Sequence, residues 1–149
     1  MSNGNARKLL ATVVGDELTG LPSWKPNELG DAIVGKYVGE HSYETQDKDA
    51  QGKATGRPRT VSCVKLAGAV VIDAASGDAA LHRSMIVARN ADTKHKLDAD
   101  TLAQGCYLLI QFTSVAADFN HMRRYRVAVI SEGDYREFLF AAGAPQSQP

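Results

Sequence analysis

The chain reads as an all-β protein: a small five-stranded barrel with a short helix between strands 3 and 4 and a further helix appended at the C-terminus. Three observations predict it. Glycines punctuate the apolar run Gly30-Asp31-Ala32-Ile33-Val34-Gly35-Lys36-Tyr37-Val38-Gly39, and a glycine inside a strand marks a bulge or a tight corner. Four more segments rich in β-branched and aromatic residues follow, separated by turn chemistry. A single helical interval, stopped by Gly105, falls between the third and fourth strands. The 149 residues, 44% hydrophobic and 23% charged, suit one soluble domain large enough to bury most of its unfolded surface without disulfide or metal.

Taken in order, residues 8–14 form a short leading strand or helix. Residues 20–26 (Gly-Leu-Pro-Ser-Trp-Lys-Pro) are a proline-punctuated connector whose Trp24 plugs one end of the core. The first barrel strand covers residues 29–43. Residues 44–56 are polar, contain glycine and lack hydrophobic period, so a mobile loop is expected there. The second strand spans residues 59–73, with Val61, Cys63, Val64 and Leu66 ahead of an apolar run from Ala69 to Ile72. Residues 74–78 make a turn; residues 81–88 are the third strand, and Asn90-Ala91-Asp92 ends it. Asp98 or Asp100 then caps a short helix through Leu102 and Ala103, because a carboxylate accepts from the free amides of a first helical turn.

Residues 106–112 (Cys-Tyr-Leu-Leu-Ile-Gln-Phe) carry the strongest strand signal in the chain. A loop over residues 114–121 leads to a fifth strand, residues 124–130, with Arg124 and Arg126 on one face and Tyr125, Val127 and Val129 on the other. Ser131, followed three residues later by Asp134, reads as a capping box. The helix it opens lines up Tyr135, Phe138, Leu139 and Ala142 in one stripe, ready to pack on the sheet or on a partner. Residues 145–149 are a frayed tail. The implied division is an N-terminal extension (1–27), a barrel domain (28–131) and a C-terminal helix with tail (132–149). Strand, long loop, strand, turn, strand, short helix, strand, loop, strand is the order of the OB-fold, whose ligands include oligonucleotides and oligosaccharides.

Formal net charge is zero, which argues against coating nucleic acid by bulk electrostatics alone. The distribution is less even. Between residues 57 and 96, Arg57, Arg59, Lys65, Arg83, Arg89, Lys94 and Lys96 outnumber Asp73, Asp78 and Asp92, and Arg123-Arg124-Tyr125-Arg126 form a second basic cluster. Acids gather at residues 16–17, 40–49 and 132–137. No apolar run is long enough to cross a bilayer, and Leu9 to Val14 is shorter than the roughly 7–15 residues of a signal h-region. Cys63 and Cys106 have no C-x-x-C partner and read as reduced core thiols, which points to a cytoplasmic setting.

Enzymatic chemistry has little support. His41, His82, His95 and His121 lack metal-ligand spacing. Gly52-Lys53-Ala54-Thr55-Gly56 has no strand-to-helix context for a phosphate cradle. Each cysteine sits mid-strand among apolar neighbours, where a raised pKa and inertness are expected. No catalytic residue, metal or cofactor is therefore assigned.

The segment from Gly30 to Gly39, the helical stretch from Leu97 to Gly105 and the strands from Cys106 to Arg126 together resemble the OB-fold single-stranded DNA-binding proteins of bacteriophages. The resemblance covers residues 28–131. It implies a largely sequence-independent binder of single-stranded DNA acting in phage replication or recombination, in the host cytoplasm, alongside other replication or recombination proteins. Such binding needs cations for phosphates and flat side chains for bases. The stacking candidates are Tyr37, Tyr43, Tyr107 and Phe112, with Tyr37 equally readable as core and Tyr43, beside the polar loop, the stronger choice. The phosphate candidates are Lys36, Arg57, Arg59 and Lys65 around the first two strands, and Arg124 with Arg126 at the last loop. A homodimer is a further expectation, since open sheet edges and an apolar terminal helix favour pairing. The competing reading is a protein-interaction module on the same barrel, supported by the neutral charge and the absence of an acid from residues 144–149.

Overall fold

The computed structural model describes residues 6–7, 21–49, 51–117 and 122–143; the expected leading element at residues 8–14 and the tail at 145–149 lie outside these. The elements are β1 (Ala32–Lys48), β2 (Ala54–Ile72), β3 (Ala79–Ala88), α1 (Thr93–Lys96), β4 (Tyr107–Val115), β5 (Arg123–Ile130) and α2 (Glu132–Ala141). The five strands form one sheet in the order β3-β2-β1-β4-β5, each neighbouring pair antiparallel. Among the described residues the protein is thus mostly β, with one short helix between β3 and β4 and another after β5.

The sheet is open, where a closed barrel is the expectation. No ladder joins β3 to β5 among the described residues, because other groups occupy the edges that would meet. Ser23 bridges Ile86 in parallel, the Trp24 amide donates to Ile86 O (2.9 Å) and the Ile86 amide donates to Pro22 O (2.9 Å). On the β5 edge, Asn90 Nδ2 donates to Arg123 O (2.8 Å), Asp92 Oδ2 accepts from the Tyr125 amide (2.8 Å) and Lys96 Nζ donates to Tyr125 O (2.8 Å). Side chains from both edges nonetheless share one core. Met85 and Val87 of β3 pack with Trp24, Ile33, Tyr37, Leu66, Leu108 and Ile110, and Tyr125 and Val127 of β5 close over them. Each large apolar side chain so buried contributes about 1.5–3 kcal/mol. Residues 21–27 therefore belong to the folded unit, and Trp24 plugs its core as expected.

Two glycine irregularities shape β1 and β2. Tyr37 faces Leu66 and Gly39 faces Lys65, so Val38 is an extra residue on β1, with Gly39 at φ +131°. On β2 the extra residue lies between Ala67 and Val70, where Gly68 stands at φ +55°. Such bulges bend a strand and change which face its later residues occupy. Beyond the first one Glu40 pairs with Val64, and Tyr43 pairs with Val61.

α2 forms a second layer on the far side of the sheet from the main core. Its predicted cap is present, with Ser131 Oγ accepting from the Asp134 amide (3.1 Å). Tyr135 packs with Val34 and Leu109, joined by Phe138, Leu139, Tyr107, Ile72 and Ile130. This is the expected stripe turned onto the sheet.

Two local expectations are corrected. Residues 44–56 are largely strand, since β1 runs to Lys48 and β2 starts at Ala54. The Asp49 side chain accepts from the amides of Gln51 and Lys53 (both 2.9 Å), and Gly52 takes φ +81°, so a tight turn joins the strands. Periodicity missed it because both faces of this hairpin meet water, leaving no apolar stripe to read. The helix between strands 3 and 4 lies at Thr93–Lys96, ahead of the expected Asp98–Ala103. Its N-cap, Asp92, makes no side-chain cap bond; instead Asn90 Oδ1 accepts from the Thr93 amide (2.8 Å) while the Asn90 amide donates to Thr93 Oγ1 (2.8 Å), fixing the turn that leads into the helix. Asp98 Oδ1 accepts only from the Asp100 amide (3.0 Å), within a turn. The Gly105 amide then donates to Tyr37 O (2.8 Å), tying the segment to β1.

Candidate nucleic-acid interface

Beyond the last β2–β3 pair, Cys63 with Ala88, β1 and β2 continue alone as a two-stranded arm. About seven residues at roughly 3.3 Å each carry it some 20 Å past the sheet. Residues directly opposite in an antiparallel pair share a face, so the register sorts its side chains. Glu40, Ser42 and Glu44 lie with Val64, Ser62 and Thr60 on the face that continues the core. His41, Tyr43 and Thr45 lie with Cys63, Val61 and Arg59 on the opposite face. Lys36 and Lys65 belong to that opposite face as well, through their pairing with Ala67 and Gly39. Cys63 and Ile86, which share it, are buried, so its solvent-facing part is the arm together with Lys36.

Arg59 and Arg57 are exposed. Arg59 Nε stands 3.9 Å from Asp47 Oδ1 with both groups in water, a contact worth at most about 1 kcal/mol that leaves the guanidinium free to meet phosphate. Glu40 is held differently. Its carboxylate pairs with Arg89, whose Nη1 also donates to Ser62 Oγ (2.6 Å) and whose Nε donates to Leu97 O (2.6 Å). Although Arg89 Nη2 lacks aligned hydrogen-bond geometry, the carboxylate beside it balances its charge. The arginine at the arm's root is spent on structure.

At that root lies a cleft of about 620 Å³, walled by Trp24, Lys25, Tyr43, Asn90, Arg123 and Tyr125 among others. Arg123 Nη1 donates to Pro26 O (2.6 Å), and its guanidinium lies 5.0 Å from the centre of the Phe112 ring. The Trp24 and Tyr125 rings stand 6.0 Å apart. Burial pushes the Tyr125 hydroxyl pKa up. Burial would also raise Asp92, but the Tyr125 amide and Lys96 outweigh it and hold its carboxyl below the usual range. The aromatic that presents its ring is Tyr43, 38% exposed.

Comparison with protein-family models, curated proteins and solved structures returns no match. The site therefore rests on its own geometry.

Of the residues expected to bind, Tyr43, Arg57 and Arg59 come together on the arm. Lys36 shares their face, and Lys65 does so half-buried. Three aromatics are corrected. Tyr37 and Phe112 are 3% and 4% exposed within the core, leaving no ring face for a base. Tyr107 is stacked on Tyr135, with centroids 4.4 Å apart, beneath α2. Arg124 and Arg126 are exposed on the face opposite Tyr125, as expected, but Arg126 lines a separate groove beside α2 with Asp134 and Glu137.

Lys25, Arg123 and Trp24 were not among the sequence candidates. The signal was present in the Pro-Ser-Trp-Lys-Pro connector and in the start of the Arg123-Arg124 cluster, but nothing in one dimension brings the two together. Cys63 is buried and Cys106 half-buried, both free, and burial raises both thiols. Among the described residues no three His, Cys, Asp or Glu side chains gather as metal ligands, and no helix is long and apolar enough to cross a membrane.

Proposed function

We propose that this chain is a non-enzymatic, largely sequence-independent single-stranded DNA-binding protein of OB type, serving phage replication or recombination. Its β3–β5 seam is filled by residues 21–27 rather than by a direct ladder. The observation that carries the reading is the sorting of the arm. Tyr43 and Arg59 share one face, and Glu40 and Glu44 share the other, so a chain of zero net charge presents a cationic, aromatic surface to a ligand. Backbone phosphates suit the arginines, and any base offers a π-face to Tyr43. Indifference to sequence follows, since neither a phosphate nor a π-face distinguishes one base from another.

Titration of a labelled oligothymidylate at about 50 and 200 mM salt tests this, because phosphate contacts make affinity fall with salt. Replacing Arg57 and Arg59 together by Ala should weaken binding and flatten the logarithmic salt slope by about 1.4, at roughly 0.7 per phosphate on a single strand. Arg124→Ala with Arg126→Ala should do less. No binding at the lower salt would sink the reading. In that event the interaction-module alternative gains, its specific support being Phe140, which stands exposed on α2.

A further inference from the structure

The sheet ends at β5, and the direction of that strand's outer backbone groups can be read from its neighbours. In an antiparallel ladder a residue turns its N–H and C=O to the same side, and the side alternates along the strand. The Tyr125 amide donates to Asp92 and the Tyr125 carbonyl accepts from Lys96, both outside the ladder with β4. No register shift interrupts β5 from Tyr125 to Ile130, so Val127 and Val129 aim their backbone groups outward as well. Among the described residues no loop backbone group meets them. The stretch Val127-Ala128-Val129-Ile130 carries no charge, and Val129 is 66% exposed. The opposite edge differs: Ile86 of β3 is already bonded to Pro22 and Trp24, and exposed His82 and Arg83 guard the remainder.

The groove of about 500 Å³ beside α2 supplies the charge. It is lined by Leu109, Ile130 and Phe138 together with one cation, Arg126, and two carboxylates, Asp134 and Glu137. Among the described residues no ion pair joins Arg126 to either carboxylate, and the pair on α2 is Glu132 with Arg136. A patch with unpaired charges of both signs is complementary to itself under a two-fold rotation.

We propose that β5 pairs antiparallel with β5 of a second copy about a two-fold axis at Ala128. This register makes Val127 and Val129 of the partner subunit a hydrogen-bonded pair and covers the exposed valine. The two Ala128 residues become the intervening non-hydrogen-bonded pair, where Cα atoms approach to about 4.5 Å and a small side chain fits. Arg126 then lies opposite Ile130 of the partner subunit on the α2 side of the sheet, since these residues pair with Gln111 and Tyr107 and Tyr107 packs beneath α2. Its guanidinium thereby meets the carboxylates Asp134 and Glu137 of the partner subunit. The inference stands apart from the DNA reading and narrows the expected homodimer to one edge.

Sedimentation equilibrium at concentrations up to about 100 μM should show a dimer. Arg126→Glu and Glu137→Arg, both at exposed positions, should each raise its dissociation constant at least about tenfold, because each sets like charges against one another twice. An equimolar mixture of the two variants should dimerise again, since each copy then meets opposite charges on its partner. Ala128→Cys should crosslink to a dimer on oxidation, its Cα separation at the axis falling within the range of about 4.4–6.8 Å that a disulfide spans. The wild type, with Cys63 buried and Cys106 half-buried, should not crosslink.

A wild type that sediments as a monomer throughout overturns the proposal. A dimer that both charge reversals leave intact overturns it too, by placing the contact elsewhere. Variants that stay monomeric when mixed show that the charges act within one copy, and they equally refute the two-fold pairing.

Discussion

Asp31 shows how much one side chain can organise. It is 7% exposed, and its Oδ2 accepts from the amides of Asn27 (2.9 Å) and Glu28 (3.1 Å), while Oδ1 accepts from the amide of Ala74 (2.8 Å). One carboxylate thus fastens the turn before β1 to the turn between β2 and β3. The Ala74 amide is the largest influence on its pKa, and with Glu28 and Asn27 it outweighs burial, so the pKa is lowered. A depressed folded-state pKa means stabilisation that is present above the unfolded value of about 3.9 and is lost as pH falls through the lower folded value. Asp31→Ala should cost about 2–3 kcal/mol at pH 7, the worth of hydrogen bonds to a charged acceptor, as read by urea unfolding. The deficit relative to wild type should shrink when both are unfolded below that window. An equal deficit at both pH values would mean that shape rather than charge makes the link. The sequence placed Asp31 inside the glycine-spaced run but gave no hint of its partner, because Ala74 lies 43 positions away.

At the level of elements, α2 and the β2 bulge form a matched pair. Gly68 adopts φ +55°, its carbonyl accepts from the Tyr135 hydroxyl (2.6 Å), and a Cβ built there would collide with that same hydroxyl. Tyr135 is anchored in turn by its stack on Tyr107. Gly68→Ala should therefore destabilise by about 1–3 kcal/mol through the left-handed backbone alone, with the collision added. Tyr135→Phe, which loses one hydrogen bond, should cost about 1 kcal/mol. Combined, the two should cost less than their sum by at least about 0.5 kcal/mol, because removing the hydroxyl makes room for the methyl group. Strict additivity in thermal or urea unfolding would refute the link. The helix was legible beforehand because capping and an apolar stripe are local signals. The bulges were legible only as glycines, and their effect on facing was not. Simple alternation along β1 keeps Gly39 on the face of Ile33 and Tyr37, whereas the inserted Val38 hands that face to Glu40 and turns Tyr43 the other way.

For the molecule as a whole, the element order and the core strands were readable because burial leaves a periodic trace. The arm, the open seam and the cleft were not, because each is made of polar groups whose pairing depends on distant partners. This division of labour implies that the arm can be separated from the fold. Apart from half-buried Val61 and Asp47, residues 43–49 and 51–61 are exposed, and none belongs to either core cluster. Replacing residues 43–61 by Asn-Gly, a two-residue hairpin turn, rejoins β1 to β2 at the Ser42–Ser62 pair and keeps the Glu40–Arg89 contact. The shortened protein should unfold cooperatively, within about 1 kcal/mol of the parent, since exposed substitutions away from caps and cores seldom cost more than about 0.5 kcal/mol. Its affinity for oligothymidylate should fall further than that of the double arginine variant, because Tyr43 leaves with Arg57 and Arg59. A shortened chain that stays folded and binds as the parent does would move the interface off the arm, to the remaining basic residues at Lys36, Arg124 and Arg126.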